Sequence, residues 1–140
     1  MELLTAVEER TTTKPMRQSK IMIVDDDPDL RQSLNLRLRA NHYQTVSACD
    51  GYSALALANK ERPDLILLDL GLPGWGDGFA VLKILQEFPL LAPIPVIILT
   101  ARDPKLHEQR SLESGAVAFV QKPADDEELL GVIRRNLQIS

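Results

Sequence analysis

Asp25-Asp26-Asp27, Asp69, Thr100 and Lys122 are the residues of this 140-residue chain that could do chemistry together. Each stands at or just past the end of a short apolar run. Several carboxylates in one crevice repel one another, and a hard divalent cation relieves that repulsion. Magnesium takes oxygen ligands in octahedral geometry and keeps some of its waters, so two or three protein oxygens suffice. A helix cap needs one acid rather than three, so the triplet points to metal binding. A lysine and a hydroxyl beside those acids suit a phosphate, and Ala101 is small enough for its backbone N–H to approach the same guest. Asp69 has two open roles. It could be a third metal ligand, or its carboxylate oxygen could attack a phosphoryl group and become an acyl phosphate.

Alternating elements must bring these groups together. Lys20–Val24, Tyr43–Ala48, Asp64–Leu68, Val96–Leu99 and Ala116–Val120 read as strands, several of them wholly apolar, as expected for strands covered on both faces. Between them lie helical patterns. Pro28 opens the first, with a stripe of Leu30, Leu34 and Leu38 flanked by Leu36. The others span Gly51–Glu61, about Phe79–Phe88, Lys105–Ser114 (stopped by Gly115) and Asp125–Leu137. Such alternation predicts an α/β fold, a parallel sheet wrapped on both faces by right-handed crossovers. The carboxyl ends of parallel strands lie together, where ligands bind in open α/β sheets.

With 44% apolar residues, the chain is long enough for one domain with a real core. Residues 1–19 read as a tail, flexible or with a short helix carrying Leu3, Leu4 and Val7, and 20–138 as the domain. The single Cys49 excludes an internal disulfide framework. No apolar run approaches the ~20 residues of a membrane span, and the acid-bearing start lacks the pattern of a signal peptide. A cytoplasmic, membrane-free protein is expected. A net charge of −4 argues against nucleic-acid binding by this chain.

From Lys20 to Leu137 the sequence resembles the receiver domain of two-component response regulators, the CheY-like superfamily. The matching stretches are Ile21-Met22-Ile23-Val24-Asp25-Asp26-Asp27-Pro28, Pro63-Asp64-Leu65-Ile66-Leu67-Leu68-Asp69-Leu70, Val96-Ile97-Ile98-Leu99-Thr100-Ala101 and Lys122-Pro123. The resemblance implies a (βα)5 doubly wound, flavodoxin-like fold with strand order 2-1-3-4-5. It also implies a signalling switch rather than an independent enzyme. Asp69 would accept a phosphoryl group from the phosphohistidine of a histidine kinase or phosphotransfer protein. Magnesium would be held by Asp26 directly, by Asp25 through water, by Asp69 and by the backbone carbonyl of Gly71. Lys122 would pair with the phosphate, and Thr100 would bond to it. Phe119 on the last strand, otherwise a plain core aromatic, would then turn inward. The face made by the helix from Lys105, the last strand and the final helix would change shape for a downstream target or an output domain outside this chain. The chain would be a free-standing receiver or a piece of a longer regulator or hybrid kinase.

The sequence departs from the family pattern in several places. Pro73-Gly74-Trp75-Gly76-Asp77-Gly78 holds one residue more than the usual loop, which should loosen it, and Trp75 could shield the site or meet a partner. Ala124 follows Lys122-Pro123 where a Phe is common. Val117 and Ala118 replace two acids that support the dimer of one DNA-binding subfamily, so that dimer is not expected and the oligomeric state stays open. Gly71 offers no side chain to influence an attacking water. The competing reading is a magnesium phosphatase of the haloacid dehalogenase type, using two acids of Asp25-Asp26-Asp27-Pro28-Asp29. It puts Asp29 where Thr or Val should stand and leaves Asp69 unexplained. A flavin carrier on the same fold lacks its Ser/Thr/Gly-rich phosphate loop after the first strand.

Overall fold

Each strand is bounded by a cap or turn that its own sequence supplies. The structure is a computed structural model that describes residues 18–74 and 76–138. The expected leader helix at Leu3, Leu4 and Val7, and the roles suggested for Trp75, lie outside the described residues. Strand β1 (Lys20–Val24) leads to helix α1 (Pro28–Ala40), β2 (Gln44–Ala48) and α2 (Gly51–Glu61). Then come β3 (Leu65–Leu68), α3 (Gly78–Glu87), β4 (Val96–Thr100), α4 (Pro104–Glu113), β5 (Ala118–Gln121) and α5 (Asp126–Gln138). Asp27, Asp50, Asp77 and Asp103 cap α1 to α4, each accepting backbone N–H bonds in the first turn. Gly115, at φ +112°, takes the left-handed turn after α4.

All strand pairs are parallel and the order is β2-β1-β3-β4-β5. The expected fold class and strand order are therefore the observed ones. Both sheet faces are covered. On one side Ala54, Ala58, Val81, Leu82 and Leu85 of α2 and α3 meet Met22, Val24, Ile66, Leu68 and Ile98. On the other, Leu34 and Leu38 of α1 and Leu129, Leu130 and Ile133 of α5 meet Ile21, Ile23, Leu67 and Leu99. β1, β3 and β4 are buried along almost their whole length, which is why they read as continuous apolar runs.

The structure corrects some edges of the sequence reading. Leu36 is 61% exposed, because a residue two positions from Leu34 and Leu38 lies on the opposite side of the helix. β3 starts at Leu65, not Asp64. The Asp64 carboxylate instead accepts the Lys20 backbone N–H at 2.7 Å, tying the start of β3 to β1. β5 begins at Ala118, two residues later than expected, although the Val117 N–H already donates to the Val96 carbonyl. No helix among the described residues is long and apolar enough to cross a membrane.

Candidate functional site

The strand order reverses between β1 and β3, and the crevice at that switch point is where an open parallel sheet binds ligands. Val24 pairs with Leu68, so the next residue of each strand, Asp25 and Asp69, emerges beside the other. The Asp69 N–H donates to the Val24 carbonyl at 3.0 Å, and the Asp25 N–H to the Ala48 carbonyl at 3.1 Å. Both acids are thus fixed by the sheet. Asp25 is 3% exposed and Asp69 8%. Asp26 stands exposed at the rim, and the three residues offer carboxylate oxygens within 4.8 Å of one another.

The acidic triplet divides its labour. Asp25 accepts the Asp27 N–H on Oδ1 and the Lys122 ammonium on Oδ2. Asp27 turns away to cap α1, accepting from Asp29 and Leu30. The two acids of the phosphatase pattern, Asp25 and Asp27, are therefore not assembled, and Asp26 completes the cluster instead. Arg31 adds a hydrogen bond from Nη1 to the Asp25 carbonyl at 2.7 Å, holding the turn from strand to helix.

Lys122 arrives from the far edge of the sheet. Its Nζ lies 2.6 Å from Asp25 Oδ2 and 3.4 Å from Asp69 Oδ2, and its backbone N–H donates to the Thr100 carbonyl. The Lys122–Pro123 peptide bond is cis. Burial alone would lower the lysine pKa. The Asp25 hydrogen bond and the charges of Asp69 and Asp25 outweigh that, and the net shift is upward. Lys122 is therefore an ammonium, yet three carboxylates against one ammonium keep the crevice negative. An all-oxygen donor set with excess negative charge suits a hard divalent cation, and Asp25, Asp26 and Asp69 are the residues that could hold it.

Thr100 is 1% exposed and closes β4, its Oγ1 accepting the Arg102 N–H at 3.4 Å. Ala101 is exposed beside it. Phe119 pairs with Ile98 and Gln121 with Thr100, so Phe119 and Thr100 are diagonal neighbours on one sheet face. Phe119 is half-buried against the α2–α3 side of the core. Gly71, exposed, donates its N–H to Asp69 Oδ1 at 3.4 Å. All of the sequence-selected residues thus stand at or beside the same end of the sheet.

Two residues escaped the sequence reading. Gly78 begins α3 against the backbone that carries the acid, and a Cβ there would lie 2.4 Å from the Asp69 carbonyl oxygen. Gly78→Ala is expected to cost about 2–3 kcal/mol in urea denaturation, because helix and acceptor strand must part. Its only sequence signal was an Asp-Gly pair before a helix. Arg102, the second such residue, was signalled by no more than a basic residue two past Thr100. Gly76 is buried, with its carbonyl packed where Gly51 has no side chain.

Comparison with known proteins follows the same outline. The family model of the response regulator receiver domain matches residues 21–134. The response regulator PleD of Caulobacter vibrioides is 40% identical over 116 residues, covering 83% of this chain but 25% of PleD. The chain therefore spans about a quarter of that relative's length. The chemotaxis protein CheY4 of Vibrio cholerae superposes with a TM-score of 0.79 at 30% identity, over 85% of this chain and 98% of that one. The receiver domain of the sensor histidine kinase PA1611 of Pseudomonas aeruginosa has a TM-score of 0.79 at 26% identity, over 87% and 99%, with a magnesium ion coordinated in its active-site cleft.

Proposed function

Because this chain belongs to the response regulator receiver domain family, we propose that it works as a phosphorylatable switch, with Asp69 as the acceptor. The observation that carries this reading is Asp69 itself, a nearly buried carboxylate at the end of β3 within 3.4 Å of the Lys122 ammonium. The donor is the phosphohistidine of a kinase or phosphotransfer protein. An Asp69 oxygen attacks phosphorus, the phosphorus–nitrogen bond breaks, and the imidazole leaves with the electron pair and takes up a proton. Asp25, Asp26, Asp69 and the Gly71 carbonyl would hold magnesium, which supplies neutralisation of charge on the transferring group. Lys122 is placed to exchange its Asp69 contact for a phosphoryl oxygen.

The added group brings about −1.5 to −2 charges at pH 7. Thr100 then turns its hydroxyl toward the new anion, since its present bond to the Arg102 N–H is long. The space it leaves lies next to Phe119, and an inward turn of that ring reshapes the face of α4, β5 and α5 for a partner protein or an output domain. A population shift of this kind needs groups that bind the two states unequally, and Thr100 and Lys122 are such groups. The chain has no independent substrate; the phosphoryl group is its signal, in the cytoplasm.

Incubation with acetyl phosphate tests the reading by intact mass. With magnesium, a gain of one phosphoryl group is expected; with the metal chelated, the gain should largely vanish. Turnover of general phosphomonoesters without any adduct would refute it.

A further inference from the structure

Helix α4 is lightly held. Of its ten residues only Ser111 is buried, while Leu106 is 73% and Leu112 44% exposed. A helix with so little apolar area against the core is seated by few contacts, and two of them meet on one ring. The guanidinium carbon of Arg110 lies 3.7 Å from the centroid of the Phe79 ring. The His107 ring lies 6.3 Å from the same ring, tilted by 37°. Among the described residues the Arg110 guanidinium makes no hydrogen bond or ion pair, so the ring face is what holds it. A cation over an aromatic face is attracted by the ring quadrupole, and a planar guanidinium also stacks on it. Phe79 is packed into the α2–α3 side of the core. It follows Gly78, whose N–H donates to the Leu70 carbonyl at 2.9 Å and which has no room for a Cβ against Asp69 and Leu70. Direct contacts thus run from the Asp69 backbone through Gly78 and Phe79 to α4.

We propose that Arg110 is a positioning residue whose stack on Phe79 ties α4 to the acceptor loop, so that the phosphoryl state of Asp69 and the seating of α4 bias each other. The inference rests on the phosphoacceptor reading above. A shift of the Asp69–Leu70 backbone cannot be absorbed at Gly78, because the packing there is already close. The shift is passed to Phe79, and the guanidinium follows the ring face. This route is separate from the one through Thr100 and Phe119. It leaves the site by β3 and α3 rather than by β4 and β5, and it ends on α4. Coupling between two places is reciprocal in free energy. A partner that reseats α4 therefore shifts the free energy of phosphorylation by the same amount.

Amide hydrogen exchange, read by mass on peptides covering α4, tests this, with intact mass run beside it to measure the adduct. Wild type, Arg110→Ala, Arg110→Gln and Arg110→Lys are compared before and after incubation with acetyl phosphate and magnesium. All should take up the phosphoryl group equally. Before phosphorylation, Arg110→Ala and Arg110→Gln should exchange their α4 amides about fivefold faster than wild type. The change that phosphorylation makes in α4 should also shrink in both. Arg110→Lys keeps a cation over the ring and should restore both properties. A phosphorylation-dependent change in α4 as large in Arg110→Ala as in wild type would overturn the coupling, since the contact would then be structural only. Wild-type exchange in Arg110→Gln would overturn it as well, because the charge over the ring would not matter. An adduct that leaves α4 exchange unchanged in wild type would overturn the inference while the phosphoacceptor reading stands. Absence of an adduct in every protein would overturn that reading and this inference with it.

Discussion

Asp69→Asn should take no phosphoryl group from acetyl phosphate, yet fold as stably as the parent protein. Asparagine keeps the size of the side chain, and its carbonyl oxygen can still accept the Gly71 N–H that Asp69 Oδ1 accepts at 3.4 Å. What it removes is the nucleophilic oxygen and one of two nearly buried carboxylates. Asp25 keeps its 2.6 Å pair with Lys122, so no buried charge is orphaned. Repulsion between neighbouring acids is relieved, which offsets the lost 3.4 Å contact with the lysine. Stability at pH 7 without magnesium should therefore stay within about 1 kcal/mol of wild type. Magnesium binding should weaken, because one of three clustered acids is gone. Intact mass, urea denaturation and metal titration read these effects separately. A persistent full adduct in Asp69→Asn would place the acceptor elsewhere.

Lys122→Ala should do the reverse, costing stability first and signalling second. In the metal-free protein Lys122 is the ammonium that reaches both Asp25 and Asp69, whose side chains are only 4% and 11% exposed. Removing one partner of a buried charge cluster leaves the others uncompensated, a loss of about 3 kcal/mol. Magnesium should recover more stability in this variant than in wild type, because a ligand that binds the native state stabilises by mass action. The pH dependence has a definite sign. Burial lowers the lysine pKa, but the Asp25 bond and the two carboxylate charges raise it beyond the usual 10.5. A raised lysine stabilises fully below 10.5, and that stabilisation is lost as pH rises through the folded-state value. The stability gap between wild type and Lys122→Ala should hold up to about pH 10 and close above it. A gap that stays unchanged as the lysine is deprotonated at high pH would contradict the pairing. A variant that phosphorylates normally would remove Lys122 from the proposed reaction.

Much of the site was legible because it sits where local patterns end. Val24, Leu68 and Leu99 close apolar runs, and the next residues of those runs are Asp25, Asp69 and Thr100. A buried parallel strand has no room for charge within it, so a polar residue behind such a run marks the strand's carboxyl end. The Pro28 start of α1 and the Gly115 stop after α4 were legible for a similarly local reason. Leu36 misled because a continuous leucine-rich stretch hides the helix period until the buried side is known.

The sequence by itself determined the alternation of five strands and five helices and the set of polar groups at the strand ends. Those follow from short-range periodicity, capping and turn chemistry, which operate within a few residues. Only the tertiary structure decided how the groups share the work. Asp25 is committed to Lys122 across 97 residues of chain, Asp27 to its helix, and Asp26 to the rim. The packing of α3 through Gly78 and the diagonal placement of Phe119 against Thr100 also needed the assembled fold. The reason is physical. A pair of charges or a missing Cβ acts through distance in space, and distances between separate strands are set by sheet register and helix packing rather than by any local pattern.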